Sequence, residues 1–153
     1  MNTVTAIRPE AGHYSMEAEQ QLLGALMMND RLVPAVMRTG GAELFHHPLH
    51  AEIYDLIEAR ANRGDLVSPV TIKSDLQGSR DLEEAGGPAY LARLAGSALS
   101  GRREVIQGIA DLLAEHARKR ALTSAISEAQ VGLLRGDVPA REIALQLERQ
   151  IVA

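Results

Sequence analysis

Glu104-Val-Ile-Gln-Gly-Ile-Ala-Asp-Leu-Leu-Ala-Glu-His-Ala-Arg-Lys-Arg-Ala-Leu-Thr-Ser-Ala-Ile-Ser-Glu-Ala-Gln-Val-Gly-Leu-Leu134 decides the fold. The stretch contains no proline, and its only glycines are Gly108 and Gly132. Val105, Ile109, Leu112, Leu113, His116, Ala117, Ile126 and Leu133 roughly keep one stripe at helical spacing. The pattern predicts one helix of about 30 residues, about 45 Å long at ~1.5 Å per residue. Gly136-Asp137 then makes a turn, and Pro139 opens a last helix with Ile143, Leu147 and Ile151 four residues apart. A long helix, a tight turn and a shorter return form an antiparallel helical hairpin.

The hairpin carries more apolar side chains than one two-helix contact can cover, among them Leu112, Leu113, Leu122, Ile126, Leu133, Leu134, Ile143, Leu145, Leu147, Ile151 and Val152. Each Leu or Ile left in water forgoes roughly 1.5–3 kcal/mol. Either the hairpin folds back on the rest of the chain, or it pairs with a second hairpin as a four-helix contact. Pairing is the preferred reading, through Leu112, Leu113, Leu122, Ile126, Ile143, Leu147 and Ile151.

Working outward, Gly96 to Gly101 has the small, polar composition of a connection. The plan is therefore a flexible leader at 1–14, a helical head at 15–96, a linker at 97–103 and the hairpin at 104–153. In the head, Ser15 is placed to cap a helix running to about Met28, with Glu17 and Glu19 as solvated charges at its positive end. Leu32, Val33, Val36 and Met37 mark a short helix ended by Gly40-Gly41. Pro48 opens a helix with Leu49, Ile53, Leu56, Ile57 and Ala61 on one face, stopped at Gly64. Ser68-Pro69 starts a helix through Leu76, interrupted at Gly78. Leu82 to Ala85 is a turn or short helix closed by Gly86-Gly87. Pro88 begins a helix with Tyr90, Leu91 and Leu94.

Composition agrees with an all-α fold. Hydrophobic residues make up 46% of the 153, but aromatics only 3%, so the core is built from Leu, Ile, Val, Ala and Met. The net charge of −4 argues against a domain that grips a nucleic-acid backbone by itself. Without cysteine there are no disulfides and no thiolate metal ligands. The N-terminus lacks a signal-peptide layout, and no window reaches the ~18 apolar residues of a membrane span. A cytoplasmic protein without a membrane partner is expected.

Catalytic, cofactor and metal sites are not expected. No G-x-x-x-x-G-K-[ST] loop is present; Gly40-Gly41 and Gly86-Gly87 are followed by Ala and Pro. Nucleotide hydrolysis needs that lysine and hydroxyl at that spacing. His46, His47 and His50 form a cluster, with His47 and His50 one helical turn apart, but a zinc site needs three or four ligands. His50 is read as packing or capping at the start of its helix. Ser15 is a cap, not a nucleophile, and Glu83-Glu84 is solvated charge. Arg118-Lys119-Arg120, with Arg102, Arg103 and Arg135, reads as a basic stripe or a solvated helix face. The second is preferred, with Glu115 and Lys119 as an i,i+4 pair and no stacking aromatics nearby.

Four signatures in fixed order carry a resemblance. They are Ser15-Met-Glu-Ala-Glu-Gln-Gln-Leu-Leu-Gly24, Phe45-His-His-Pro-Leu-His50-Ala-Glu-Ile-Tyr54, Val70-Thr-Ile72 and Leu82-Glu-Glu-Ala-Gly-Gly87-Pro-Ala-Tyr-Leu91. Together they resemble the N-terminal domain of the bacterial replicative DNA helicases, the DnaB family, over residues 15–152. The matching positions are Glu17, Glu19, Gln20, Gly24, Phe45, Pro48, His50, Ile53, Gly86, Gly87, Tyr90 and Leu91, and they look structural. The resemblance departs at Ser100 to Ile106, where the family commonly has an Asn and a Tyr.

The resemblance implies a helical head and a hairpin that dimerises. Three dimers then form a hexameric collar above the motor ring, and the collar docks the C-terminal domain of primase and, in some cases, a helicase loader. DNA contact is weak or indirect. An ATP-dependent motor lies in a separate domain of such helicases. A chain ending at Ala153 also allows a second reading, a phage- or plasmid-type regulator or loader that binds a helicase ring. A third is a helical nucleic-acid-binding module using Arg118, Lys119 and Arg120.

Overall fold

The computed structural model describes residues 12–152. Among them there are helices and turns but no strand. The leader expected at 1–14 lies outside the described residues except at its last three positions. Contacts divide the chain into two units, a head of residues 14–115 and a second unit containing residues 116–152.

In the head, α1 (Met16–Met28) is followed by a 3-10 turn (Asp30–Leu32), α2 (Val33–Thr39), a second 3-10 turn (Gly41–Leu44) and α3 (Pro48–Arg63). Then come α4 (Pro69–Asp75), α5 (Arg80–Glu84) and α6 (Pro88–Ser97). The boundaries follow local chemistry. Ser15 Oγ accepts from the Ala18 amide at 3.2 Å and caps α1. Ser68 and Thr71 exchange side-chain and backbone bonds in a capping box on α4. Gly64 ends α3 in the left-handed region at φ 75°, where a Cβ would be costly.

Helix α1 is the hub. Leu22, Leu23, Ala25 and Leu26 are buried, so core contacts reach well around its circumference. It packs on α3 and α6. The approach of α6 is close because position 24 is glycine: a Cβ there would lie 2.1 Å from the Leu94 carbonyl oxygen. Ile53 and Ile57 of α3, Ile72 of α4 and Leu91 and Leu94 of α6 complete the core around it.

Helix α7 (Arg103–Arg135) is continuous, as its stripe predicts. The linker expected at 97–103 joins α6 to α7. Ile106, Ala110, Leu113 and Ala114 of α7 are buried in the head's core, and the division falls between Glu115 and His116. The small, polar connection stays in contact with the C-terminal end of α1. Asn29 Nδ2 donates to the Gly101 carbonyl at 3.1 Å, and Met28 packs on Gly101.

In the second unit, the rest of α7 turns through Gly136, at φ 72°, into α8 (Ala140–Val152). Ile143 seats on Gly132, where a Cβ would come within 3.2 Å of Ile143 Cδ1. Gln150 Nε2 donates to Glu128 Oε2 at 3.0 Å. Ala125 and Ile143 are the buried residues of this unit among those described. So small a buried set is a thin core for two helices, and most of the apolar surface faces water.

Candidate functional site

Two features stand out, a buried polar clasp in the head and an apolar face on the hairpin. The clasp begins at Glu19, in the first turn of α1. The solvated carboxylate expected there is in fact fully buried. Its Oε1 accepts the His47 backbone N–H at 3.1 Å and lies 3.1 Å from His50 Nδ1. His50, on the first turn of α3, is also fully buried, and its Nε2 meets the Tyr90 hydroxyl of α6 at 2.5 Å. Gln20 Nε2 donates to the same hydroxyl at 3.3 Å.

A carboxylate oxygen only accepts, so His50 donates from Nδ1, and with that tautomer Nε2 accepts the hydrogen bond that the Tyr90 hydroxyl donates. One chain of hydrogen bonds thus ties α1, α3 and α6. Buried polar groups are costly alone and specifying when paired, so the clasp fixes the mutual register of three helices. A carboxylate–imidazole–hydroxyl chain resembles a nucleophilic relay, but here its histidine and carboxylate lie inside the core, away from any substrate.

The residues singled out in the first two motifs and the last therefore converge. Glu19, Gln20, His50 and Tyr90 form the clasp. Phe45 stacks on Tyr54 at 5.3 Å, Pro48 starts α3, and Ile53 and Leu91 are core. Gly86 and Gly87, at φ 113° and 73°, make the α5–α6 turn. Glu17 stays on the surface and accepts from Gln21.

The cap of α3 is His47, a role sequence reasoning missed. Its Nδ1 accepts the Leu49 amide at 3.2 Å. The available signal was its place just before Pro48 at the first helical position. Its ring sits 4.7 Å from that of His50. Burial, then the neighbouring His50, holds the His47 imidazole below its ordinary pKa, against the pull of Glu19 and Asp81. With the Nδ1 atoms of both rings and Nε2 of His50 already engaged, the pair is not arranged for a metal. Among the described residues no group of three or more His, Cys, Asp or Glu side chains could hold one.

The hairpin face follows from helical geometry. At 3.6 residues per turn, Leu122, Ile126 and Leu133 of α7 and Ala144, Leu147 and Ile151 of α8 turn to the same side of the pair. Leu122, Ile126, Leu133 and Ile151 are each roughly half exposed. Ser124, Ser127, Val131 and Arg135, with Gln146, line a depression on the other side. Leu122, Ile126, Leu133 and Ile151 therefore form an apolar strip along one side of the pair, and Val131, Leu134, Leu145 and Val152 are exposed elsewhere on the hairpin.

Two residues expected on the apolar face are not there. Leu113 is buried in the head's core, and Ile143 is buried between α7 and α8. Periodicity places a residue on a stripe but does not say which neighbour covers it. Leu112 is half exposed on α7, on the head's part of that helix. Arg118 and Lys119 are exposed, and Arg120 donates to the His13 carbonyl at 2.7 Å.

An all-α head followed by a helical hairpin is the architecture of a known domain. The crystal structure of the N-terminal domain of DnaB helicase from Mycobacterium tuberculosis superposes with a TM-score of 0.80 over 91% of this chain and 96% of that one, at 23% identity. The family model of the DnaB-like helicase N-terminal domain matches residues 12–115, and the chain belongs to that family. The replicative DNA helicase DnaB of Geobacillus stearothermophilus is 32% identical over 124 residues, 80% of this chain and 27% of the relative. That of Rickettsia felis is 36% identical over 80 residues, 52% of this chain and 16% of the relative. The chain thus spans about a quarter or less of the relatives it matches. No described helix is long and apolar enough to cross a membrane.

Proposed function

We propose that this chain serves as the non-catalytic assembly and docking domain of a replicative DNA helicase in the cytoplasm. It pairs with a second copy through the hairpin, three pairs gather as a hexameric collar, and the collar docks the C-terminal domain of primase during DNA replication. The observation that carries the pairing is the exposed apolar strip of Leu122, Ile126, Leu133 and Ile151 on a hairpin with little core of its own. Covering a half-exposed Leu or Ile gains on the order of 1 kcal/mol, and an isologous contact uses every residue twice.

Absolute mass by light scattering, followed across a wide concentration range, tests it. A mass of two chains, climbing toward six, is the expected result. Leu122→Asp with Ile151→Asp should return the mass to one chain while α-helical circular dichroism is kept. A wild-type chain that stays monomeric at every concentration overturns the pairing, and failure of the paired form to capture the primase C-terminal domain overturns the docking.

A further inference from the structure

The corner before α3 uses an unusual cap. Helix N-caps are commonly Ser, Thr, Asp or Asn, whose oxygen accepts at neutral pH, and in this head Ser15, Ser68 and Ser79 do so. At α3 the acceptor is an imidazole nitrogen. His47 is fastened twice, its backbone N–H to Glu19 Oε1 and its Nδ1 to the Leu49 amide.

We propose that His47 is a proton-sensitive cap, which holds the first turn of α3 when neutral and releases it when protonated. Protonation turns Nδ1 from acceptor into donor, so two N–H groups then face each other across the former hydrogen bond. It also places a positive charge at the positive end of the α3 dipole. The same first turn carries His50, the centre of the clasp to Glu19 and Tyr90. A loosened first turn therefore reaches the junction of α1, α3 and α6.

The charged and titratable groups around the ring come from each neighbouring element. His50 lies on α3 itself, His46 in the preceding loop, Glu19 on α1 and Asp81 on α5, and Glu84 of α5 lines the same depression as His47. The carboxylates favour the proton; burial and the two histidines oppose it, and burial is the largest effect. The folded chain therefore takes the proton at a lower pH than the unfolded chain, whose histidine has the ordinary value of about 6.5. Between the two values the unfolded state binds more protons, so stability rises with pH there. Stability from this group is complete above about pH 6.5. It falls as the pH drops from that value to the folded-state one, and levels off below it.

The test is an NMR titration of the full chain between about pH 8 and 5, following the His47 ring and the Leu49 amide. The Leu49 amide should shift, and lose its protection from exchange, at the midpoint of the His47 ring. His47→Asn keeps an acceptor that does not titrate, so its unfolding midpoint should depend less on pH in that range than that of the wild type. A Leu49 amide that stays still while the His47 ring titrates overturns the proposal, as does an Asn variant with the full acid slope. If that variant fails to fold, the wild-type titration decides alone.

Discussion

Replacing Gly24 by alanine tests the central packing claim, that α1 and α6 meet backbone to backbone. A Cβ at position 24 would lie 2.1 Å from Leu94 O, 3.1 Å from Leu94 C and 3.2 Å from Ala98 N. Ordinary contact begins at 3.4 Å, so the nearest of these falls about 1.3 Å short. The obstacle is main chain in a helix, not the free end of a side chain, and cannot swing aside. Overpacking of a tight core costs about 1–3 kcal/mol, and this geometry belongs at the upper end. Alanine regains about 0.5–1 kcal/mol of helix propensity. A net loss of about 2 kcal/mol remains, which lowers the melting midpoint of a chain of this size by roughly 4–8 °C. Gly108 supplies the control. It lies within α7 and is exposed, and a Cβ placed on it would meet nothing within 4 Å, so Gly108→Ala should be neutral or stabilising. Thermal and urea unfolding by circular dichroism give both numbers. A Gly24→Ala chain that melts with the wild type or above it refutes the reasoning.

Tyr90→Phe removes the hydroxyl that serves His50 and Gln20 and leaves a buried ring nitrogen without its partner, at a cost of about 1–3 kcal/mol in urea unfolding. An unchanged midpoint would show that the clasp contributes nothing to the head. Ser68→Ala breaks the capping box of α4 and should cost about 0.5–2 kcal/mol, with faster amide exchange confined to the first turn of that helix. Exchange that rises evenly through the head instead would mean that the box does not act locally.

The order of helices was legible in the sequence because its signals are local. Ser15, Ser68 and Pro48 start helices, and Gly64 and Gly86-Gly87 stop them, through contacts spanning a few residues. The long stripe from Glu104 to Leu134 required one continuous helix, and the four motifs in order identified the family. The apolar side chains of the hairpin were legible as a surplus. Leu122 and Ile126 share one side of α7, and Leu147 and Ile151 one side of α8, by helical geometry alone.

Tertiary structure decided what each stripe touches. Leu112 and Leu113 are neighbours in one pattern, yet one is half exposed and the other is sealed in the head, because only one of them points at that core. Glu19 has the sequence context of a solvated carboxylate at a helix start, and α3 arrives on that side to bury it against His47 and His50. The same arrival makes an imidazole the cap of α3. Helical period and capping are set by bonds within a turn of the chain. Burial, by contrast, depends on which distant element covers a given face, and that is fixed only when all the helices pack together.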